Sequence, residues 1–281
     1  MWPEAVRFPA TSIGHNLTDK WKLYANYKRS IQRPDYQNLN PFRFYYNDNN
    51  LLVGNPNLKP QIEDHIVVGT TIFDIFTFEA YYNSQKNKIF VLPRQDGDNN
   101  LLIFTPLNLD TTIDYGFDFE VSFYPTKEWS FYFVTSFYNI KNETVFDNTF
   151  INQDKWSNYS QLQNDFTFLS DRSLNVNFTV YFAGSYLNGF RVIDDRWVSS
   201  LSASKSIMNK KVIISLSVEN IFNAQDYNYL TRYLNQYNFI HTNVDERFIR
   251  LGFRYNFGNT NLKSGSRTKN LDERKRLKES N

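Results

Sequence analysis

From Asp114 to Phe123 the chain alternates without a break. Tyr115, Phe117, Phe119, Val121 and Phe123 occupy one parity; Asp114, Gly116, Asp118, Glu120 and Ser122 occupy the other. Successive side chains of a strand point to opposite faces, so this segment reads as a strand with one apolar and one polar face. Leu174, Val176, Phe178, Val180 and Phe182 repeat the pattern against Asn175, Asn177, Thr179 and Tyr181. So do Phe76/Phe78/Ala80/Tyr82, Val212/Ile214/Leu216/Val218 and Ile249/Leu251/Phe253/Tyr255/Phe257. Weaker versions begin at Trp21, Ile62, Trp129, Leu162 and Trp197, and a frayed one covers Phe8 to Leu17. The pattern predicts about eleven strands of roughly 10–15 residues each, against a mean of ~5–6 in globular proteins. No helix longer than a turn is expected.

The connections alternate as well. Tight links fall at Thr18-Asp19-Lys20, Phe73-Asp74-Ile75, Pro125 to Glu128, Ser170-Asp171-Arg172 and Met208-Asn209-Lys210. Long polar links fall between them, at 31–60, 90–107, 141–157, 187–196 and 223–246. Short turns at one end and long loops at the other describe an antiparallel up-and-down wall. A soluble β-sandwich shares the apolar–polar alternation but not the strand length or the regular exchange of short and long links.

Composition changes the picture in one respect. Aromatics make up 18% of the chain, with 26 Phe and 19 Tyr, while the mean hydropathy is −0.55. Rings that are abundant in a polar chain suit a transmembrane β-barrel, whose strands meet lipid on one face and water on the other. No apolar run approaches the ~18 residues of a membrane-crossing helix. Cysteine is absent, which removes disulfides, thiolate metal sites and cysteine nucleophiles. The net charge is +2, and the segment from Lys263 to Asn281 alone holds seven Lys/Arg against three Asp/Glu. The rest of the chain therefore has no broad basic face for nucleic acid. Met1-Trp2-Pro3-Glu4 shows no secretory signal, so an outer-membrane reading expects further sequence upstream.

Three segments carry a resemblance. Residues 27–42 read YKRSIQRPDYQNLNPF, residues 54–61 read GNPNLKPQ, and residues 218–223 read VENIFN, with a last strand closing as FRYNFGN at 253–259. In this order they resemble the outer-membrane β-barrel family of Bacteroidetes-type TonB-dependent receptors, over roughly residues 8–262. The departure is Gln61, where the motif usually carries an acid. The resemblance implies a barrel wall in the outer membrane of a Gram-negative cell, surrounded by lipid. It also implies an N-terminal plug and further strands outside this chain, a periplasmic energy-coupling protein, and in some members a surface lipoprotein. Residues 1–259 would form the C-terminal part of the wall, and 260–281 a charged, disordered periplasmic tail. Large plugged transporters have ~22 strands. About eleven is half of that and an odd number, so the fold expected is an open partial barrel with unpaired edges near 8–17 and 247–257.

The motifs also have a reading of their own. Asn-Pro at 40–41 and 55–56 initiates turns, Gly54 permits backbone that other residues resist, and Pro60 opens a strand. Gly54 to Pro60 thus returns a long loop to the wall.

Candidate chemistry is sparse. His15, His65 and His241 lack metal-pair spacing, and no nucleophile or phosphate-binding motif is present. Asp96, Asp98 and Asn100 imitate the start of a calcium loop but lack its later Gly and Glu, so a hairpin tip is expected there. Asp118, Glu120 and Glu219 lie on the polar parity without acid–base pairing. The ligand candidates are loop aromatics, Tyr45 with Tyr46 and Tyr227 with Tyr229, near Asn and Arg. No cofactor and no catalysis are expected. The function implied is uptake of a nutrient ligand, whether glycan, peptide or metal chelate; a structural or adhesive barrel is the alternative, and an outer-membrane enzyme comes third.

Overall fold

The computed structural model describes residues 8–146, 148–234, 236–244 and 247–257. Its strands are β1 (Ala10–Thr18), β2 (Trp21–Gln32), β3 (Arg43–Asn47), β4 (Asn50–Val53), β5 (Gln61–Ile72), β6 (Phe76–Asp96), β7 (Leu101–Thr126), β8 (Trp129–Phe146) and β9 (Thr149–Phe168). They continue with β10 (Leu174–Ala183), β11 (Tyr186–Asn188), β12 (Arg191–Ile193), β13 (Arg196–Ile207), β14 (Val212–Glu219), β15 (Tyr227–Tyr233), β16 (Gln236–Thr242) and β17 (Ile249–Tyr255). The helix among the described residues is a single turn, α1 (Tyr36–Leu39).

One antiparallel path, β1-β2-β5-β6-β7-β8-β9-β10-β13-β14-β17, forms the wall. These are the eleven strands the alternation predicts, each neighbouring the next in sequence. The two end strands do not pair with each other, so the sheet is open among the described residues. Tight turns join Thr18 to Trp21, Ile72 to Phe76, Thr126 to Trp129, Phe168 to Leu174 and Ile207 to Val212, all at one end. Several are built from left-handed residues, Phe73 and Asp74 in one and Met208, Asn209 and Lys210 in another, as hairpin turns matching strand twist require.

Register carries one face across the sheet. Trp21 lies opposite Ile72, Ile72 opposite Phe76, Phe76 opposite Val121, Val121 opposite Phe133, Phe133 opposite Leu162 and Leu162 opposite Val180. Directly opposed residues share a face, so the apolar parity of each strand joins a continuous apolar surface. The row containing Phe117 and Phe119 is not enclosed by a second sheet; Phe117 is 50% and its neighbour Phe78 47% exposed. The opposite face runs Tyr24–Gly69–Glu79–Asp118–Ser136–Tyr159 and is polar throughout its centre.

Aromatic clusters mark two levels of the apolar face. Near the tight turns Trp129 stacks on Phe166, and Phe123 meets Phe131. Toward the other end Phe137 stacks on Trp156, which also meets Tyr115 edge-on. Between Tyr115 and Phe123 the strand advances about 26 Å at ~3.3 Å per residue, before any tilt. That is the scale of the ~25 Å apolar band of an outer-membrane wall between its aromatic girdles.

The long connections differ from their expected form. Residues 90–107 and 141–157 are mostly ladder: β6 and β7 pair out to Asp96 and Leu101, and β8 and β9 pair from Phe166 to Thr149. In the β8–β9 extension the face of Val145 and Phe150 stays open, at 60% and 63% exposed, while the other parity, with Asn142, Thr144 and Ile151, is buried; a covered face need not be polar, so the apolar–polar alternation weakens there.

The return motif also differs in one detail. β5 opens at Gln61 directly after the motif, but Gly54 does not have a positive φ. A Cβ at Gly54 would lie 2.1 Å from the Asn40 carbonyl oxygen, so glycine is needed for close approach rather than for conformational freedom.

Candidate ligand-binding surface at the long-loop end

Beyond the two aromatic levels the long connections build a layer of their own. A second sheet, β11-β12-β15-β16, joins the connection after β10 to the one after β14. It packs on the β6–β7 and β8–β9 extensions through Leu92, Leu109, Ile151, Phe190 and Tyr233, the described buried hydrophobic cluster, with Phe90, Leu107 and Phe146 against it. Each fully buried side chain of this size contributes about 1.5–3 kcal/mol. Polar contacts fasten the same layer: Asn142 Nδ2 donates to the Gly189 carbonyl at 2.7 Å, Gln153 Nε2 to the Arg232 carbonyl at 2.8 Å, and the Tyr233 hydroxyl to the Pro93 carbonyl. Gly189 has φ +62°, and a Cβ there would meet the Phe90 ring at 2.3 Å. The mouth of the wall is therefore a packed structure rather than a set of free loops.

Tyr227 and Tyr229 lie half-buried on β15 of this layer. Arg196 lies 4.8 Å over the Tyr227 ring and Arg191 4.5 Å over the Tyr229 ring, and β15 pairs with β12 through Tyr229 and Ile193. Tyr45 and Tyr46 sit on the β3–β4 hairpin, whose strand β4 adds in parallel to β7 at Leu102 to Phe104. Both rings are exposed, and Tyr46 meets Phe104 edge-on at 6.3 Å. Tyr46 lines an open hollow of about 410 Å³ with Phe42, Phe44, Leu52 and Arg43. The two tyrosine pairs thus belong to different elements, with no ring contact between them.

A different group comes together at the tips. Asn49 and Asn50 of the β3–β4 hairpin, Gln95 to Gly97 and Asn100 to Leu102 around the β6–β7 tip, and Gln236 to Asn238 of β16 line a cleft of about 230 Å³. The expected hairpin tip at Asp96 is present. Asp96 accepts from the Asn99 backbone N–H at 3.2 Å and from Asn99 Nδ2 at 2.9 Å, and these bonds hold its carboxyl below the usual carboxylate range. Tyr237 and the amides were missed by pattern reading because scattered Asn and Gln have no period; only the tertiary pairing of three tips assembles them.

The three histidines lie apart. His15 is on β1, His65 on β5, and His241 on β16 beside Asn228 Oδ1 at 2.7 Å. Among the described residues no group of three or more His, Cys, Asp or Glu could hold a metal ion. On the polar face Asp118 lies opposite Glu79, which accepts from the Tyr24 hydroxyl at 2.6 Å, and Glu120 lies opposite Thr77.

Residues 6–255 match the family model described as the outer membrane protein beta-barrel family. The chain belongs to that family. Among curated proteins none matches. Among solved structures this outer-membrane β-barrel protein shares its fold with the ferric enterobactin receptor PfeA of Pseudomonas aeruginosa, at 17% identity and a TM-score of 0.52, covering 76% of this chain and 35% of that one. The siderophore receptor PirA of the same organism matches at 16% identity and TM-score 0.55, covering 79% and 38%. The FrpB iron transporter of Neisseria meningitidis matches at 13% identity and TM-score 0.56, covering 88% and 39%. The chain therefore spans well under half the length of these receptors. Membership of an outer-membrane family assigns the sheet's apolar face to lipid, since a wall in hydrocarbon must turn apolar side chains outward.

Proposed function

We propose that this outer-membrane barrel protein is the C-terminal part of the wall of a TonB-dependent transporter that takes up a nutrient ligand. The observation that carries the reading is an open, two-faced wall of eleven strands with unpaired edges at β1 and β17, on the fold of larger siderophore receptors. An unpaired edge leaves backbone donors and acceptors unmet, which hydrocarbon does not tolerate. Further strands of the whole protein would pair with both edges, and a plug would fill the polar side. In this reading the tight turns face the periplasm, where an energy-coupling protein acts on the plug, and the structured long-loop layer faces outward, where a surface lipoprotein could deliver ligand. Residues 260–281, read as a periplasmic tail, lie outside the described residues.

Uptake of labelled ferric siderophore and labelled oligosaccharides by cells with and without the gene tests this. Loss of uptake of one ligand on deletion, and equal loss with a protonophore that removes the energy source, is the expected result. If deletion leaves uptake of every ligand intact, the structural or adhesive alternative stands instead.

A further inference from the structure

None of the four tyrosines that the sequence singles out lines the cleft at the three tips. Its walls come from segments far apart in the chain and are fastened to one another. Asn49 Nδ2 donates to the Asn100 carbonyl at 2.9 Å, the Leu102 N–H to the Asn49 carbonyl at 2.7 Å, and the Gln95 N–H to Gln236 Oε1 at 2.7 Å. A cleft whose walls are hydrogen-bonded to one another loses little freedom when a ligand enters.

Its chemistry is one-sided. The side chains that line it include Asn50, Asn100, Asn238 and Gln95, with Tyr237 and Asp96, and no Lys or Arg among the described residues. A carboxamide presents a donor and an acceptor side by side. A hydroxyl group also donates and accepts, so an array of amides satisfies a polyol in either orientation. Tyr237 is 65% exposed, leaving a ring face free beside the amides for the apolar face of a pyranose. An anionic chelate would meet the Asp96 carboxylate here, and the cation that acts on Asp96, Arg94, is not among the residues lining the cleft. The volume, about 230 Å³, falls below the ~300–1,000 Å³ of pockets that enclose a drug-sized ligand, so the cleft takes one end of a ligand.

We propose that this cleft binds the terminal sugar residue of a neutral oligosaccharide. The proposal rests on the uptake reading in naming what kind of nutrient is carried.

The test uses the full protein in outer-membrane vesicles, probed on an array of neutral oligosaccharides ending in hexoses, pentoses or N-acetylhexosamines, with ferric enterobactin as an anionic probe. Binding of at least one neutral terminus is expected, weakened tenfold or more by Tyr237→Ala and by Asn238→Ala. Tyr237→Phe, which keeps the ring face, should retain most of the binding. Vesicles that bind no neutral oligosaccharide, or that bind one equally well in the Tyr237→Ala and Asn238→Ala variants, overturn the assignment. Unchanged heat-modifiable migration of both variants on gels separates loss of the site from loss of the fold. The two readings fail separately. A sugar that binds but never enters cells removes the transport reading and keeps the cleft, whereas a ferric chelate taken up with no sugar bound removes the cleft and keeps transport.

Discussion

Gly54 and Asp171 show how single residues define the ends of the wall. Gly54 sits where an added Cβ would run into the carbonyls of Asn40 and Asn38. Gly54→Ala would force the return segment away from α1, a form of overpacking that costs about 1–3 kcal/mol. Urea unfolding of the protein in lipid vesicles measures it, and an unchanged midpoint would show that the segment yields freely. Asp171, in the tight turn after β9, accepts from the Ser173 hydroxyl at 2.6 Å and its backbone N–H at 3.2 Å. Those bonds hold its carboxyl below the usual range. A carboxyl depressed in the folded state contributes stability above its unfolded value and loses it as pH falls through the folded value. The Ser173 amide should thus remain protected from exchange at pH values where an ordinary carboxylate is already protonated, and Asp171→Asn should abolish that acid dependence. Hydrogen exchange across the acid range reads both.

At the scale of the strand, alternation alone assigns a residue to lipid or to water. Phe119 shares its face with Phe78 and Thr135, its cross-strand partners. Phe119→Arg should cost roughly 2–4 kcal/mol near the midplane of the bilayer. Ser122→Arg, on the polar parity beside Tyr132, should be far milder. Folding yields of the two variants in lipid vesicles compare them directly, and equal damage would remove the face assignment. The same rule fails in the extensions. Asn87 adopts left-handed backbone, φ 56°, within β6, and Asn108 Nδ2 donates to its carbonyl at 2.7 Å. Above it Leu92 and Leu109 continue the apolar parity of Phe78 and Phe119, yet they are buried in the loop-layer cluster instead of exposed.

For the whole molecule, the decisive feature is the pair of free edges. β1 and β17 stand at opposite ends of the path, so cysteines placed at His15 and Gly252 should form no disulfide within one chain of the full protein. Mass spectrometry after mild oxidation detects such a bond, and finding it would mean that the first and last of these strands meet. Among the described residues β1 starts at the long-loop end and β17 finishes at the tight-turn end of the wall.

The amino-acid sequence by itself determined the eleven wall strands, their two faces and the alternation of short and long connections, because each depends only on a period of two and on local turn chemistry. Position of the tight turns was legible for the same reason, down to Asp74 and Asn209. Tertiary structure alone decided the loop layer. Tyr227 and Tyr229 come under Arg196 and Arg191, which reach them from another connection. Likewise Asn50, Asn100 and Asn238 come to line one cleft only when β4 adds to β7 and Gln236 reaches Gln95. These are long-range pairings between irregular segments, and no local pattern encodes a contact whose partners are separated by that much chain.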